Sequence, residues 1–433
     1  MSVFNRVDDG LRRGTRAVAV LPDMRSANPR AVDARLAEFV GLGAAIGIDV
    51  IDQLSLRIRA VRSATLFGAG QIEQIAAFVA AAEAELVLVD GNLTPVQQAK
   101  LEEALKAKVI DRTGLILEIF GERAATAEGR LQVELAHLDY QAGRLVRSWT
   151  HLERQRGGFG FLGGPGETQI EADRRLIRDR MARLRKDLAD LSRTRGLHRE
   201  RRGRAPWPVI ALVGYTNAGK STLFNRLTGA DVLAENMLFA TLDPTMRQIA
   251  LPGVAKAILS DTVGFVSDLP TQLVAAFKAT LEEVVSADLI VHVRDIAHED
   301  SEAQRNDVLR ILNDIGAGPD KGRKLIEVWN KIDLLDAETR RLITAKAERR
   351  DRTALVSAVS GEGVDALEAE FVLQLTEDHT EHLIVISVSD GAARAWLHAH
   401  GRIISETSGD YETTLQVRLS PDNAARFHAR DFA

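Results

Sequence analysis

The stretch that most constrains the fold of this 433-residue chain is VIALVGYTNAGKST, residues 209–222. Residues 214–221 match the pattern G-x-x-x-x-G-K-S, between an apolar strand and a helix that we expect to begin near Lys220. The glycines let backbone N–H groups approach phosphates, while Lys220 is expected to reach the β- and γ-phosphates and Ser221 to bind Mg²⁺. The stretch therefore predicts a nucleoside triphosphate site, and it leaves ATP and GTP open.

A second motif, DTVG at residues 261–264, follows the predicted strand AKAILS. Asp261 is placed for the second shell of Mg²⁺, and the N–H of Gly264 for the γ-phosphate. The magnesium-binding switch threonine lies in LFATLDPTMRQ, residues 238–248, where Thr241 and Thr245 are the candidates. We favour Thr241 because it comes before the turn-like DPT.

Two motifs further along identify the base: NKID (330–333) after the predicted strand LIEVW, and SAVS (357–360) after RTALV. The carboxylate of Asp333 can accept hydrogen bonds from N1–H and the 2-amino group of guanine, a donor pair that adenine lacks. Asn330 is expected to brace the loop, Lys331 to cover the base, and Ala358 to offer its N–H to guanine O6. Each charge-assisted bond contributes about 1.5–3 kcal/mol, enough for roughly a hundredfold preference for guanine or more.

Phe265 follows DTVG, at a position where many small GTPases have a glutamine that orients the attacking water. Because a phenyl ring cannot do this, we expect slow basal hydrolysis that waits for an outside element or a rearranged loop. The alternative is that Phe265 is a buried apolar anchor of the switch. The two interpretations are compatible.

The predicted site has a catalytic set, a metal pair and a larger set that contacts the nucleotide. The catalytic set is Lys220, Thr241 and Gly264, and the metal pair is Ser221 and Thr241. The nucleotide-contacting set is Gly214, Tyr215, Thr216, Asn217, Ala218, Gly219, Lys220, Ser221, Thr222, Phe239, Ala240, Thr241, Leu242, Asp243, Asp261, Thr262, Val263, Gly264, Asn330, Lys331, Ile332, Asp333, Ser357, Ala358 and Val359.

Strand-like and helical patterns alternate on both sides of residues 127–203. Before them, the strand-like runs are RAVAVL, GIDVI, AELVLVD and AKVID, and the helical patterns lie at 28–42, 70–83, 94–106 and 113–121. Such alternation predicts mostly parallel sheets covered by helices. The predicted fold class is α/β, with an N-terminal α/β domain (1–126), an antiparallel helical hairpin (127–205), a P-loop GTPase domain with a doubly wound sheet (206–375) and a small C-terminal α+β domain (376–433).

The hairpin is predicted from two apolar heptad seams, one running from Leu131 to Leu152 and one from Ile170 to Leu191. The stretch between them, GGFGFLGGPGE at 157–167, is too glycine-rich to be helical. Each helix of the hairpin is expected to be ~35 Å long. Residues 144–204 contain 17 Arg or Lys against 8 Asp or Glu, a local charge of +9 that leaves −14 for the rest. This asymmetry favours a polyanionic partner, the alternative being a solvated helix face.

The composition excludes several classes of protein. There is no cysteine, so disulfides and thiol-ligated metals are excluded, in keeping with a reducing cytosol. The first ten residues lack the apolar core of a signal peptide, and no run of roughly 18 apolar residues could span a membrane.

The motifs GYTNAGKST, LFATLDPT, DTVGF and NKID resemble those of the Obg–HflX group of P-loop GTPases. The stretches at 109–140 and 157–175, together with LFGAGQIEQI (66–75), resemble the HflX family specifically. Within LFGAGQIEQI, Gln71 stands where the family usually has lysine. The resemblance covers nearly the whole chain and is weakest after about residue 376.

This resemblance implies a cytoplasmic, Mg²⁺-dependent GTPase that binds the large (50S) ribosomal subunit and splits stalled or idle ribosomes under stress such as heat. The hairpin would contact ribosomal RNA, and DNA and integral membrane contact are not expected. A monomer is expected, and a peripheral membrane-associated fraction is allowed. ATP use by the N-terminal domain is also implied, although without a lysine GAGQ favours a structural turn. The alternatives are a GTPase coupled to RNA modification or membrane-associated assembly, and a metabolic P-loop kinase, against which NKID argues.

Overall fold

The computed structural model describes residues 12–24, 30–155, 165–202, 207–230, 239, 245–252, 254–267 and 278–429. In this part of the chain the strands form three separate sheets. The N-terminal sheet and the central sheet are α/β layers, and the C-terminal sheet is antiparallel, so the predicted fold class is confirmed. No helix among these residues is long and apolar enough to cross a membrane.

The N-terminal sheet is parallel, in the order β2-β1-β3-β4. Its strands are β1 (Arg16–Asp23), β2 (Asp49–Arg57), β3 (Leu86–Val89) and β4 (Lys108–Asp111). Helices α1 (Val32–Ala44) and α4 (Arg112–Arg123) contribute to one apolar cluster, and α2 (Ala69–Ala81) and α3 (Pro95–Leu105) to another. Because helices cover both faces, β1 and β3 are apolar along most of their length.

Two long helices follow, α5 (Ala127–Gln155) and α6 (Pro165–Arg202). They have 29 and 38 residues, so their lengths are about 44 and 57 Å, and the predicted ~35 Å was too short. Both continue past their apolar seams into polar sequence, which gives no periodic signal. The prediction that 157–167 is non-helical is wrong for residues 165–167, because α6 begins at Pro165, and proline is well tolerated in the first helical turn. The rest of the predicted tip, 157–164, lies outside the described residues.

The central sheet has the order β10-β9-β8-β5-β7-β6. Strand β6 (Thr245–Leu251) runs antiparallel to β7 (Val254–Asp261), and the other described pairs are parallel. The remaining strands are β5 (Val209–Gly214), β8 (Leu289–Asp295), β9 (Leu325–Asn330) and β10 (Thr353–Leu355). The helices are α7 (Lys220–Thr228), α8 (Lys278–Val285), α9 (Ser301–Asp314), α10 (Ala337–Ala347) and α11 (Val364–Leu375). The carboxyl ends of the parallel strands meet at one edge, where ligands bind in such sheets.

The C-terminal sheet has the order β11-β13-β12. It contains β11 (Thr380–Ser387), β12 (Arg402–Ser408) and β13 (Glu412–Leu419), with α12 (Gly391–His400) and α13 (Pro421–His428). The sequence predicted a small α+β domain here, but its patterns gave no signal for β12. That strand has no fully buried residue, so its sequence RIISETS carries little alternation.

Candidate functional site

The phosphate-binding loop lies between β5 and α7, as predicted. Gly219, with φ +92°, is the residue before the helix, and a Cβ atom there would lie 2.2 Å from Nδ2 of Asn330. Only glycine fits this approach, so the loop and the NKID segment are packed directly against each other. Asn217 also has a left-handed backbone (φ +58°), and Thr222 lies in the first turn of α7.

Lys220, Ser221 and Asp261 meet at the start of α7. The Lys220 ammonium donates to the Tyr215 carbonyl at 2.9 Å, and burial lowers the pKa of Lys220 to about 8 against the attraction of Asp261. The Ser221 hydroxyl donates to Oδ2 of the buried Asp261 at 2.7 Å. A hydroxyl and a carboxylate beside a phosphate-binding loop form an oxygen donor set that suits Mg²⁺.

The candidate switch threonines differ in what the structure describes. Thr245 is the first residue of β6 and stands opposite Asp261 in the antiparallel ladder. The favoured Thr241 lies outside the described residues, together with Ala240, Leu242 and Asp243.

The segment after β7 lies against the phosphate-binding loop. A Cβ atom on Gly264 would lie 2.8 Å from Cγ2 of Thr216 and 3.0 Å from Nζ of Lys220. The N–H of Phe265 donates to the Gly214 carbonyl at 3.1 Å, and its carbonyl accepts from the N–H of Thr216 at 2.7 Å. The Phe265 ring is buried in a cluster with Tyr215, as the anchor interpretation requires. Nearby, the Thr262 hydroxyl donates to the carbonyl of Leu212 at 2.6 Å.

Asn330 connects the two ends of the site. Its Nδ2 donates to the Ala218 carbonyl, and its Oδ1 accepts from the N–H of Ala358, both at 2.9 Å. Asn330 therefore braces the loop as predicted. Its Oδ1 also accepts the Ala358 N–H that was expected to serve guanine O6, so the base would have to share this donor with Asn330.

The other predicted base contacts surround Asn330. Lys331, with φ +66°, pairs with Asp295 at 2.7 Å, a partner that motif reasoning missed. Asp333 is exposed, whereas Ile332 is buried. In the SAVS motif (357–360), Ser357 is buried and Val359 is 71% exposed.

Residues of the N-terminal half reach this site, which the motifs did not predict. Oε2 of Glu38 accepts from the Tyr215 hydroxyl at 2.7 Å and from Arg30 at 2.8 Å. Oε1 accepts from Arg112 at 2.5 Å and from the Ser267 hydroxyl at 2.9 Å. Burial opposes the charge of Glu38, but Arg112 and Arg30 outweigh it and lower the pKa of Glu38 to about 2. Burial and the Glu38 carboxylate raise the pKa of Tyr215.

Further bonds extend this cluster. Arg30 also donates to Asp300 at 2.9 Å, and Arg112 donates to Asp90 at 2.7 Å and to the Ser267 carbonyl at 3.1 Å. The Ser267 N–H donates to the Tyr215 hydroxyl at 2.7 Å. The cluster thus bonds the phosphate-binding loop and the segment after DTVG to α1 and α4. One signal existed in the sequence: Arg112 directly follows a buried strand, where a charge needs a partner.

Apolar contacts reinforce this interface. The Phe239 and Phe120 rings meet edge-on with centroids 4.7 Å apart, and Phe239 is buried in the N-terminal core cluster with Val263 and Val266. Phe239 and Val263 belong to the predicted nucleotide-contacting set, and their side chains pack against the N-terminal half.

Four family models match successive parts of the chain. They are described as GTP-binding GTPase N-terminal (residues 33–121), GTP-binding GTPase Middle Region (123–202), 50S ribosome-binding GTPase (209–331) and HflX C-terminal domain (342–430). A curated relative, GTPase HflX of Magnetococcus marinus, is 50% identical over 89% of this chain and 88% of its own. The chain belongs to the HflX family of GTPases. GTPase HflX of Escherichia coli is 42% identical over 89% of both chains.

A solved structure, the complex of SsGBP with GDP, aligns with 84% of this HflX chain and 99% of its own, at 22% identity and a TM-score of 0.47. Family membership and the phosphate-binding loop establish that the chain is a GTP-hydrolysing switch that binds GTP and GDP.

Proposed function

We propose that this GTPase binds the large ribosomal subunit, and through it the whole ribosome, and that it splits or rescues stalled or idle ribosomes, especially under heat stress. One observation carries the proposal. The basic hairpin of α5 and α6, called the arm below, is bonded at its base to Asp111. The next residue, Arg112, bonds to Ser267 in the segment that follows DTVG (265–267), called the switch segment below. The description of the family model at 209–331, a 50S ribosome-binding GTPase, supports the proposal.

The arm offers a surface for ribosomal RNA. Along α6 the exposed side chains include Arg175, Arg178, Arg183, Arg185 and Lys186. The charge of +9 on residues 144–204 contrasts with −14 on the remainder, so RNA is attracted to one element and repelled by the rest. Glycine-rich backbone at the tip can approach RNA phosphates closely.

Asp111 fixes the base of the arm. This buried carboxylate accepts from the Tyr140 hydroxyl at 2.6 Å and from Arg144 at 2.8 Å, both on α5. It also accepts from the N–H groups of Leu93 at 3.0 Å and Gly114 at 2.8 Å. Four donors on one buried carboxylate make this a rigid joint between α5 and the N-terminal sheet.

The next residue along the chain, Arg112, holds the switch segment through Ser267. A displacement of α5 at Asp111 therefore moves the backbone that carries Arg112. In this way docking of the arm on RNA can change how tightly the switch segment is held.

The ribosome supplies the missing part of the catalytic site in this proposal. Phe265 is buried and cannot orient water, so an outside group must do so. Lys220 and the Gly264 N–H contact the β- and γ-phosphates, Ser221 and Thr241 bind Mg²⁺ with Asp261 behind them, and Asp333 selects guanine.

Several finer features belong to the same proposal. The domain limits are those predicted, 1–126, 127–205, 206–375 and 376–433, and the protein acts as a cytoplasmic monomer. The N-terminal GAGQ is a structural turn rather than an ATP site. Gln71 there accepts from the N–H of Gly68 at 3.0 Å and donates to the Arg57 carbonyl at 3.0 Å, so it caps α2.

The test is GTP turnover and ribosome splitting with and without purified large subunits. It compares the wild type with a variant that lacks residues 158–165, and with Arg310→Ala, which removes an exposed arginine distant in sequence from the arm. We expect large subunits to accelerate the wild type and Arg310→Ala but not the deletion variant, which should still bind GTP. Binding should weaken steeply with salt. If large subunits did not accelerate GTP turnover of the wild type, the proposed activation by the ribosome would be wrong. If the deletion variant split ribosomes normally, the arm would be only a structural spacer.

A further inference from the structure

The loop after β10 (residues 356–363) is held by a guanidinium group from the helix that begins at the phosphate-binding loop. Arg226, on α7, donates from Nε to the Ala358 carbonyl at 3.3 Å and from its terminal nitrogen to the Val359 carbonyl. A planar guanidinium can bridge two successive carbonyls in this way, whereas a lysine ammonium acts as a point charge. Arg226 thus fixes the backbone on the carboxyl side of Ala358.

The opposite side of Ala358 is fixed by another residue. Its N–H donates to Oδ1 of Asn330 at 2.9 Å. The peptide groups before and after Ala358 are therefore held by two different side chains, one from the NKID motif and one from α7. The position and direction of the Ala358 N–H therefore depend on both side chains.

The rest of the loop is shaped around Arg226. The N–H of Gly361 donates to the Ser357 carbonyl at 2.8 Å, which closes a tight turn. Gly361 has a left-handed backbone with φ +91°, and a Cβ atom there would lie 3.5 Å from Cζ of Arg226. The turn therefore packs on the guanidinium.

Helix α7 links the two ends of the site. Lys220 and Ser221 are in its first turn, and Arg226 lies six positions after Lys220, about 9 Å along the axis. One rigid element therefore carries both the phosphate-binding groups and the group that holds the base loop.

We propose that Arg226 is a positioning residue for guanine selection. It fixes the peptide groups beside Ala358, so that the N–H that donates to Asn330 is shared with O6 of the base in a three-centre hydrogen bond. This rests on the placement of guanine proposed above. Arg226 acts through the loop backbone and needs no contact with the nucleotide. Its loss lowers affinity only for nucleotides whose base has an oxygen at C6.

The chain offers a matched control in Arg340. This residue, on α10, bonds to the same loop, but through the side chain of Glu362 and not through the backbone beside Ala358. Replacing Arg340 removes an exposed arginine contact to the loop. The Ala358 and Val359 carbonyls keep their bonds to Arg226.

The experiment measures the affinity of the full chain for GDP and for 2-aminopurine riboside diphosphate. This analogue has hydrogen in place of the C6 oxygen and lacks N1–H, so wild type should bind it more weakly than GDP. We expect Arg226→Ala to weaken GDP binding about tenfold and to leave analogue binding unchanged. Arg226→Lys should behave like Arg226→Ala, because lysine cannot bridge two carbonyls. Arg340→Ala should change neither affinity.

Equal losses for GDP and the analogue would overturn the proposal, because Arg226 would then merely support the fold or the phosphate end. Unchanged GDP affinity in Arg226→Ala would also overturn it, as would a comparable GDP-selective loss in Arg340→Ala. If wild type bound GDP no better than the analogue, the placement of guanine itself would be wrong.

Discussion

The Tyr215 hydroxyl donates to Oε2 of Glu38 at 2.7 Å, although the two residues are 177 positions apart. Tyr215 is the second residue of the phosphate-binding loop, and Glu38 lies on the first helix of the N-terminal half. The same hydroxyl accepts the N–H of Ser267 at 2.7 Å, so one oxygen atom joins the loop, the switch segment and the N-terminal half. Each of these bonds is buried or partly buried and therefore costly to lose.

We expect Tyr215→Phe and Glu38→Gln to be strongly coupled. Tyr215→Phe removes one hydroxyl and leaves the Ser267 N–H and one oxygen of Glu38 short of a partner, which costs about 1–3 kcal/mol of unfolding free energy. Glu38→Gln leaves two buried guanidinium groups with less compensation and costs about 3–5 kcal/mol. Because the residues touch, the double variant should lose less than the sum, by about 1 kcal/mol.

Urea denaturation of the four proteins measures this coupling. Tyr411→Phe is the control, because Tyr411 is 85% exposed and its hydroxyl should contribute almost nothing. Strict additivity would mean that the bond between Glu38 and Tyr215 does not join the two halves.

The contrast between the site and this interface indicates what sequence can predict. Lys220, Ser221 and Asp261 were predictable because their spacing within strand–loop–helix units is set by the geometry of phosphate binding. Glu38 was not, because a charged residue on an amphipathic helix has the pattern of a solvent-facing one. Only the tertiary fold brings Glu38 to Tyr215.

The same distinction applies to the elements of the fold. Buried strands such as β3 and β5 have apolar runs that predict them, and the heptad seams predict the two long helices α5 and α6. The full length of α6 was missed because its arginine-rich end has no apolar period. Strand β12 was missed because it buries almost nothing, so its pairing with β13 rather than its own composition makes it a strand.

Nucleotide binding should take up a proton near pH 8 through Lys220. In the free protein burial lowers the pKa of Lys220 to about 8, and phosphate oxygens favour the charged ammonium and raise it. Between these two pKa values the complex holds a proton that the free protein lacks, so affinity for GDP falls as pH rises above about 8.

Calorimetry of GDP binding at about pH 8, in buffers of different ionisation enthalpy, gives the number of protons exchanged. We expect an uptake of about half a proton in wild type and none in Lys220→Met, whose affinity should also be lower. Proton release, or uptake that persists in Lys220→Met, would contradict the assignment.

Asp333→Asn should change the preferred base. An amide at this position presents a donor where guanine also presents one, so GDP binding should weaken at least about tenfold. Xanthosine diphosphate, which has a carbonyl at C2, should gain affinity relative to GDP. The control is Asp351→Asn, another exposed aspartate outside the four motifs. Unchanged GDP affinity in Asp333→Asn would show that the guanine site is elsewhere.

Tyr140→Phe should uncouple the arm from the GTPase site. The substitution keeps the ring, over which the Arg144 guanidinium lies at 4.0 Å, and removes only the hydroxyl that donates to Asp111 at 2.6 Å. Asp111 then keeps three donors, so the fold should survive a loss of about 1–3 kcal/mol. The joint between α5 and β4 becomes looser, and movement of the arm is transmitted less completely to Arg112 and Ser267.

We therefore expect large ribosomal subunits to bind Tyr140→Phe as well as wild type in sedimentation, but to accelerate its GTP turnover less, while turnover without subunits is unchanged. Glu134→Gln is the matched control, since it breaks the exposed pair between Arg180 and Glu134 on the same arm without touching Asp111. If both variants were accelerated like wild type, the arm would not signal through Asp111. If Tyr140→Phe lost subunit binding itself, Asp111 would serve docking of the arm, and the signal to the switch segment would have to travel by another route.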